Sequence, residues 1–214
     1  GYTLLGKIIE KIEGKPYHQV IRTRFLSPQK LDNTFMCGYE AYTKNKPGGY
    51  SRGGDYYPEE FTSFLSSAYA AGGYVSTSAD MATWTRKLFG GDILSDSSLT
   101  QLKTGVYQSG SNLTFNQGST KTRYYSIDYF GHGGTTLLFH SEMFYSTKSD
   151  FGYAASVNSD EDQSNLETIG RLFLRFVELE LRYILSAPNL EMSSTDIYPN
   201  PTSFKVLTAG MFKD

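Results

Sequence analysis

Tyr129 to Ser141 reads YFGHGGTTLLFHS. A histidine stands among glycines, and β-branched and aromatic residues flank them on both sides. Three runs of this composition follow one another: Arg123 to Phe130, Thr135 to Tyr145, and Phe151 to Asn158. Each is rich in the residues that fit a pleated, half-buried surface, and Ser149 with Asp150 makes the turn between the last two. Consecutive strands with short connections predict antiparallel pairing. The glycines would let another backbone approach a strand closely. A histidine among them can meet a carboxylate or assist a proton transfer. Alone, GHGG reads more readily as a histidine in a glycine turn with no chemistry.

Upstream of the strands the spacing is helical. Leu5, Ile8, Ile9 and Ile12 predict a helix over Tyr2 to Glu13, stopped by Gly14 and Pro16. Pro16 suits the first position of a second helix through Leu26, with Val20, Ile21 and Phe25 on its apolar side. Residues 27 to 60 are rich in Gly, Pro, Asn and Tyr and read as a long irregular segment. Gly72 and Gly73 break the chain. Thr77 followed by Asp80 is a capping pattern for a helix over Ala79 to Phe89, with Met81, Trp84, Leu88 and Phe89 as its buried stripe. A short helix over Ser95 to Lys103 is closed by Gly105, and residues 106 to 121 read as polar turns. A helix from Gln163 to Leu185 covers the strands. Helices, then consecutive strands, then a covering helix predict an α+β fold: an antiparallel sheet with a helical region.

Composition narrows the function classes. The chain has 214 residues, 39% hydrophobic and 20% charged, which suits a globular domain with a real core. A net charge of -2 gives no general attraction to nucleic acid. No apolar run reaches the roughly 18 residues of a membrane span. Cys37 is the one cysteine, so no intrachain disulfide or cysteine zinc cluster can form, and no histidine near it in sequence would activate it. The acidic run Asp160 to Asp162 lacks calcium-loop spacing and reads as a solvated turn before a helix.

Five phrases in order carry a resemblance. They are GYTLLGKIIEKIEGKPY (Gly1 to Tyr17), FLSPQKLDNTF (Phe25 to Phe35), AAGGYVSTSADMATW (Ala70 to Trp84), GHGG (Gly131 to Gly134) and YAASVNSDED (Tyr153 to Asp162). Together, over residues 1 to 185, they resemble the C-terminal two-thirds of the serine beta-lactamase-like hydrolases. That group includes class C beta-lactamases, D-alanyl-D-alanine carboxypeptidases and related esterases. The resemblance implies acyl transfer to water on an amide or ester. It maps the family's third active-site box onto His132, Gly133 and Gly134, and makes the Thr135 N–H half of an oxyanion hole. It implies no metal and no organic cofactor, and a small-molecule or peptide substrate as the partner. The family's serine, lysine and tyrosine would lie before Gly1, so the fold is expected to be incomplete at the N-terminus, with a free sheet edge and no activity of its own. The alternative is a cell-surface binding protein derived from the same fold.

One departure stands out. Leu138 and Phe139 occupy the place where the family has a glycine a few residues past the box, so the far end of that strand is expected to differ. Ser141 resembles the family's strand serine, while His18 and His140 read as structural. Ser27-Pro28-Gln29-Lys30 and Lys103-Thr104-Gly105 spell the family's S-x-x-K and K-T-G, but the first lacks a firm helix and the second a strand. After residue 187 the chain turns Pro-rich, and residues 188–214 read as a linker into something new. Ile197 to Ser203, IYPNPTS, resembles the opening of the sorting domain of Bacteroidetes proteins exported by type IX secretion; a plain Pro-rich tail is the alternative. The expected location is secreted, periplasmic or at the cell surface.

Overall fold

A computed structural model describes residues 1–42, 47–51, 54–56, 58–109, 113–124, 126–159 and 163–181. The linker, the IYPNPTS segment and the acidic run lie outside these residues.

A six-stranded antiparallel sheet in the order β10-β9-β8-β7-β6-β5 organises the molecule. Its strands are β5 (Gly105–Ser109), β6 (Leu113–Asn116), β7 (Thr120–Tyr124), β8 (Ile127–Thr136), β9 (Phe139–Ser146) and β10 (Phe151–Val157). Helix α4 (Ser78–Gly90) packs on one face and α6 (Gln163–Arg175) on the other. Phe89 of α4 stacks on Phe130 and Tyr145 of the first face. Leu174 joins Ile127, Tyr129 and Tyr153 on the second. Gly152 permits the close approach of α4, because a Cβ there would stand 2.3 Å from the Ala82 carbonyl oxygen. The α+β expectation with an antiparallel sheet therefore holds.

The remaining elements are α1 (Tyr2–Glu13), α2 (Tyr17–Ile21), α3 (Pro58–Ala68) and α5 (Asp96–Lys103), with short strands β1 (Phe35–Met36), β2 (Gly49–Ser51), β3 (Gly54–Tyr56) and β4 (Tyr74–Val75). Helix α1 ends at a left-handed Gly14, as its sequence predicts. Pro16 is the N-cap of α2 and not its first residue, and the second half of that helix, Arg22–Leu26, widens into a π-helical turn. Thr77 caps α4 by accepting from the Asp80 N–H at 3.2 Å. The buried stripe of α4 includes Thr85, fully buried, where sequence spacing named Met81 and Trp84, which are half-buried.

Three expectations need correction. The irregular segment 27–60 holds three short strands and the start of α3, whose helical spacing is masked by neighbouring glycines and tyrosines. The polar stretch 106–121 forms β5 and β6 with the start of β7, since cross-strand pairing sustains strands that lack an apolar run. The runs Arg123–Phe130 and Thr135–Tyr145 are not single strands: each contains a hairpin turn. The turns escape notice because they carry no glycine at their left-handed positions, which fall to Ser126 (φ 63°) and Leu137 (φ 50°). The covering helix also changes character earlier than expected, with Phe176–Leu181 in π geometry.

One polar joint ties the helical region to α4, and a second holds the segment after α2 to β1. Buried Asp80 accepts from the Asn33 N–H at 2.8 Å and from the Thr34 hydroxyl at 2.9 Å, and the same hydroxyl lies 2.8 Å from Ser76 Oγ. Arg22 pairs with Glu40 at 2.8 Å, and the second oxygen of Glu40 accepts the Met36 N–H at 2.7 Å. The phrases LDNTF and STSAD are thus two halves of one joint. By contrast, Leu5, Ile8 and Ile12 of α1 are exposed, and only Gly6 is buried, against Tyr69 and Ala70.

Asp80→Ala removes the carboxylate that accepts from the Asn33 N–H and the Thr34 hydroxyl in a buried joint and should lower stability by about 2–4 kcal/mol in urea titration. Glu10 gives a pH dependence. The Lys7 ammonium at 2.8 Å, with the Tyr17 N–H at 2.9 Å, holds its carboxyl down from 4.5 to about 2. A depressed folded-state pKa gives stability present above 4.5 and lost as pH falls towards 2. Glu10→Gln should flatten the melting temperature profile across that window, and an unchanged slope would contradict the assignment.

Candidate functional site

Strand β8 is paired on both sides only in its first half. Strand β7 runs beside it from Tyr124↔Ile127 to Thr120↔Gly131, while β9 continues to Thr136↔Phe139. His132 to Thr136 therefore lie on an open edge. Leu137 and Leu138 form a two-residue turn, and the Thr136↔Phe139 pair that closes such a turn exchanges both hydrogen bonds. Pairs alternate from there. Gly134 and His132 bond to β9, whereas the N–H and C=O of Thr135 and Gly133 point away from it. The β7 register gives the same parity, because Gly131, Tyr129 and Ile127 face β7. The backbone N–H groups of Gly133 and Thr135 thus face outward along one edge, where no strand among the described residues pairs with them.

The glycines divide by role. A Cβ on Gly131 would stand 1.8 Å from the Met143 carbonyl oxygen, so this glycine is required by the sheet itself. On Gly133 the nearest atom would be 3.5 Å away and on Gly134 3.3 Å, so the chain's own packing does not demand glycine at 133. A surface that stays low where packing does not require it suits an incoming ligand backbone.

His132, Gly133, Gly134 and Thr135 are all exposed. Side-chain alternation puts His132 on the α4 face, in line with Phe130 and beyond the end of the Phe89–Phe130–Tyr145 stack. Its Nδ1 contacts the Gly133 carbonyl oxygen. Thr135 faces the α6 side, where its Oγ1 lies 3.0 Å from Nδ1 of buried His140. Glu142, also buried on that side, projects towards Gly170 of α6; burial, with the Glu142 carboxylate as the lesser cause, raises the Tyr153 phenol pKa. Sequence reading placed His132 to Thr135 on one strand segment; it missed Glu142, whose charge gave no hint of burial.

The literal motifs fall elsewhere. Ser27 to Lys30 form turns, with Lys30 left-handed at φ 58°, so the two side chains do not share a helical face. Lys103 ends α5, donates to the Phe89 carbonyl at 2.7 Å and lies over the Phe130 and Tyr145 rings, where burial pushes its pKa down. Both are structural. Asn158, at the end of β10, donates through Nδ2 to the Gly48 carbonyl at 2.8 Å, and its own carbonyl accepts the Tyr50 N–H at 2.8 Å. This holds the β2–β3 hairpin at the sheet end that carries Thr135, since Thr135, His140 and Val157 form one cross-strand row. A cavity of about 340 Å³ between Phe35, Tyr39, Tyr42 and Val75 includes none of His132 to Thr135 in its lining. Among the described residues no group of His, Cys, Asp and Glu could hold a metal ion, and no helix is long and apolar enough to cross a membrane.

The sequence model of the family described as Beta-lactamase matches residues 1–174. No curated protein is a significant match. Among solved structures, a D-stereospecific amidohydrolase from Streptomyces sp. is 28% identical, with a TM-score of 0.64 over 72% of this chain and 47% of that one. The D-amino acid amidase from Ochrobactrum anthropi SV3, complexed with D-phenylalanine, is 28% identical, with a TM-score of 0.67 over 81% of this chain and 59% of that one. A penicillin binding protein from Bacillus halodurans shares the fold at 14% identity, with a TM-score of 0.64 over 80% and 54%. The chain spans about half the length of these structures. With the family match covering most of its length and the same fold in each of these relatives, the chain belongs to the beta-lactamase family.

Proposed function

We propose that the protein is a serine hydrolase that cleaves an amide of a small, amino-acid-like substrate through an acyl-enzyme, with the open edge of β8 as the wall for the acyl group. The observation that carries this reading is the pair of outward N–H groups on an unpaired strand segment beside an exposed histidine. The 28% identity to a D-stereospecific amidohydrolase and to a D-amino acid amidase supports an amide over an ester. The nucleophilic serine, its lysine and a tyrosine are assigned to sequence outside these 214 residues.

In the reaction the serine oxygen attacks the amide carbon, the C–N bond breaks, and the amine leaves with a proton. Water then cleaves the acyl–oxygen bond. Charge develops on the carbonyl oxygen in both steps. The Thr135 N–H, already unpaired and facing out, supplies one donor to it at no reorganisation. His132 orients the substrate or assists proton transfer from the α4 face. Gly133 and Gly134 keep the wall low. Location outside the cytoplasm, by the IYPNPTS tail or another route, belongs to the same proposal.

The second reading, a non-catalytic surface binding protein, is favoured by one observation: neither literal Ser–Lys nor Lys–Thr–Gly motif is arranged for chemistry among the described residues. Turnover separates the two. The longest chain that the gene encodes should release ammonia from D-phenylalanine amide, and His132→Ala should reduce kcat/KM roughly 10²-fold. Binding without turnover by that chain would favour the second reading. The 214-residue chain alone should show no turnover.

Glycine substitutions test the division of roles. Gly131→Ala should abolish cooperative folding, whereas Gly133→Ala should keep the melting temperature within about 3 °C. Comparable losses in the two variants would show that Gly133 serves the sheet and not the edge.

A further inference from the structure

The Thr135↔His140 pair is one of the alternating pairs that exchange no backbone hydrogen bonds, by the parity set at the Leu137-Leu138 turn. On its other side no strand among the described residues neighbours Thr135. Its peptide is thus held directly by no backbone bond at its own level, although it is the residue whose N–H the proposed chemistry needs. What ties it across the hairpin is a side-chain contact, Thr135 Oγ1 to His140 Nδ1 at 3.0 Å. Side chains of such pairs are the closer ones in an antiparallel ladder, which is why the bond can form.

His140 is suited to be a fixed post. It is 5% exposed, under the α6 side of the sheet. Its Nε2 is buried and has no hydrogen-bond partner among the described residues. Packing does not explain a histidine here, because an apolar residue of similar size would fill the space without burying an unpartnered nitrogen. The arrangement that leaves no buried N–H without an acceptor puts the ring proton on Nδ1. Nδ1–H then donates to Thr135 Oγ1, clamps the β-branched side chain at Cβ, and leaves the threonine hydroxyl proton free.

We propose that His140 is a positioning residue: through Thr135 Oγ1 it holds the Thr135 peptide so that its N–H stays aimed along the open edge of β8. This rests on the hydrolase reading for its purpose but not for its geometry, and the tests separate the two.

In the 214-residue chain, the imidazole 15N spectrum of His140 should show the proton on Nδ1. His140→Leu, which fills the space without a donor, should shift or broaden the Thr135 amide signal and leave the distant Tyr145 in place. His140→Asn, which can offer an N–H from a similar position, should restore it. A ring proton on Nε2, or a Thr135 signal indifferent to His140→Leu, would overturn the proposal, and the wild-type spectrum decides the matter if the leucine variant fails to fold. In the longest chain that the gene encodes, acting on D-phenylalanine amide, His140→Leu should lower kcat roughly tenfold with KM within about twofold, and His140→Asn should recover most of it. Equal losses in both variants would overturn a positioning role. A wild type without turnover would instead overturn the hydrolase reading, and the spectra would then decide the His140 tie alone.

Discussion

Everything distinctive about this edge follows from the length mismatch between the two neighbours of β8. Strand β7 stops opposite Gly131 while β9 continues for five more residues to the turn at Leu137-Leu138. A strand paired on one side still presents a full row of donors and acceptors on the other. Most proteins cover or blunt such a row. Here it stays flat and carries two glycines, and the nearest side chains, His132 and Thr135, leave on opposite faces. The two-residue turn fixes which N–H groups point outward, because a loop one residue longer would reverse the parity. Strain at Leu137, a bulky residue at positive φ, is consistent with a turn whose length is held for a reason beyond local propensity.

The layers around the sheet serve that edge. Helix α4 meets β10 over Gly152 and stacks Phe89 on Phe130 and Tyr145, so the first half of β8 is anchored while the second half projects past the helix. Asp80, at the start of α4, ties the same helix to the turn after α2 through Asn33 and Thr34. On the other face α6 lies over Glu142 at Gly170, and His140 is buried on the same side of β9. The edge is thus part of a strand and not a loop, which suits groups that must be preorganised. The exposed apolar residues of α1 show that not every face of the molecule is covered within these residues.

Much of this was legible in the sequence where a single residue type has a single physical use. Gly14 ends α1 and Thr77 caps α4, each as local rules require, whereas Ser95 caps α5 from outside the helix and Gly105 opens β5 after a C-cap at Thr104, correcting the expectation of a helix over Ser95 to Lys103 closed by Gly105. The order of five short phrases points to His132 to Thr135, which share one exposed strand segment, and sets aside the literal S-x-x-K and K-T-G motifs, which lie in turns and at a helix end. The misses share a cause. Strands β5 and β6 are polar and owe their existence to pairing partners distant in sequence. The hairpin turns carry Ser126 and Leu137 where rules expect glycine or asparagine, so two strands merged into one in each case. Glu142 and His140 are buried polar residues, and only the packed α6 layer reveals which side of the strand they occupy.

The central claim is that Thr135 and Gly133 face out and their neighbours face in. Amide hydrogen exchange along β8, read residue by residue, tests it most directly. The account predicts alternation over the open half: slow exchange at His132, Gly134 and Thr136, which bond to β9, and fast exchange at Gly133 and Thr135. Uniform protection from residues 132 to 136, or protection with the parity reversed, would contradict it and remove the ledge from the chemistry.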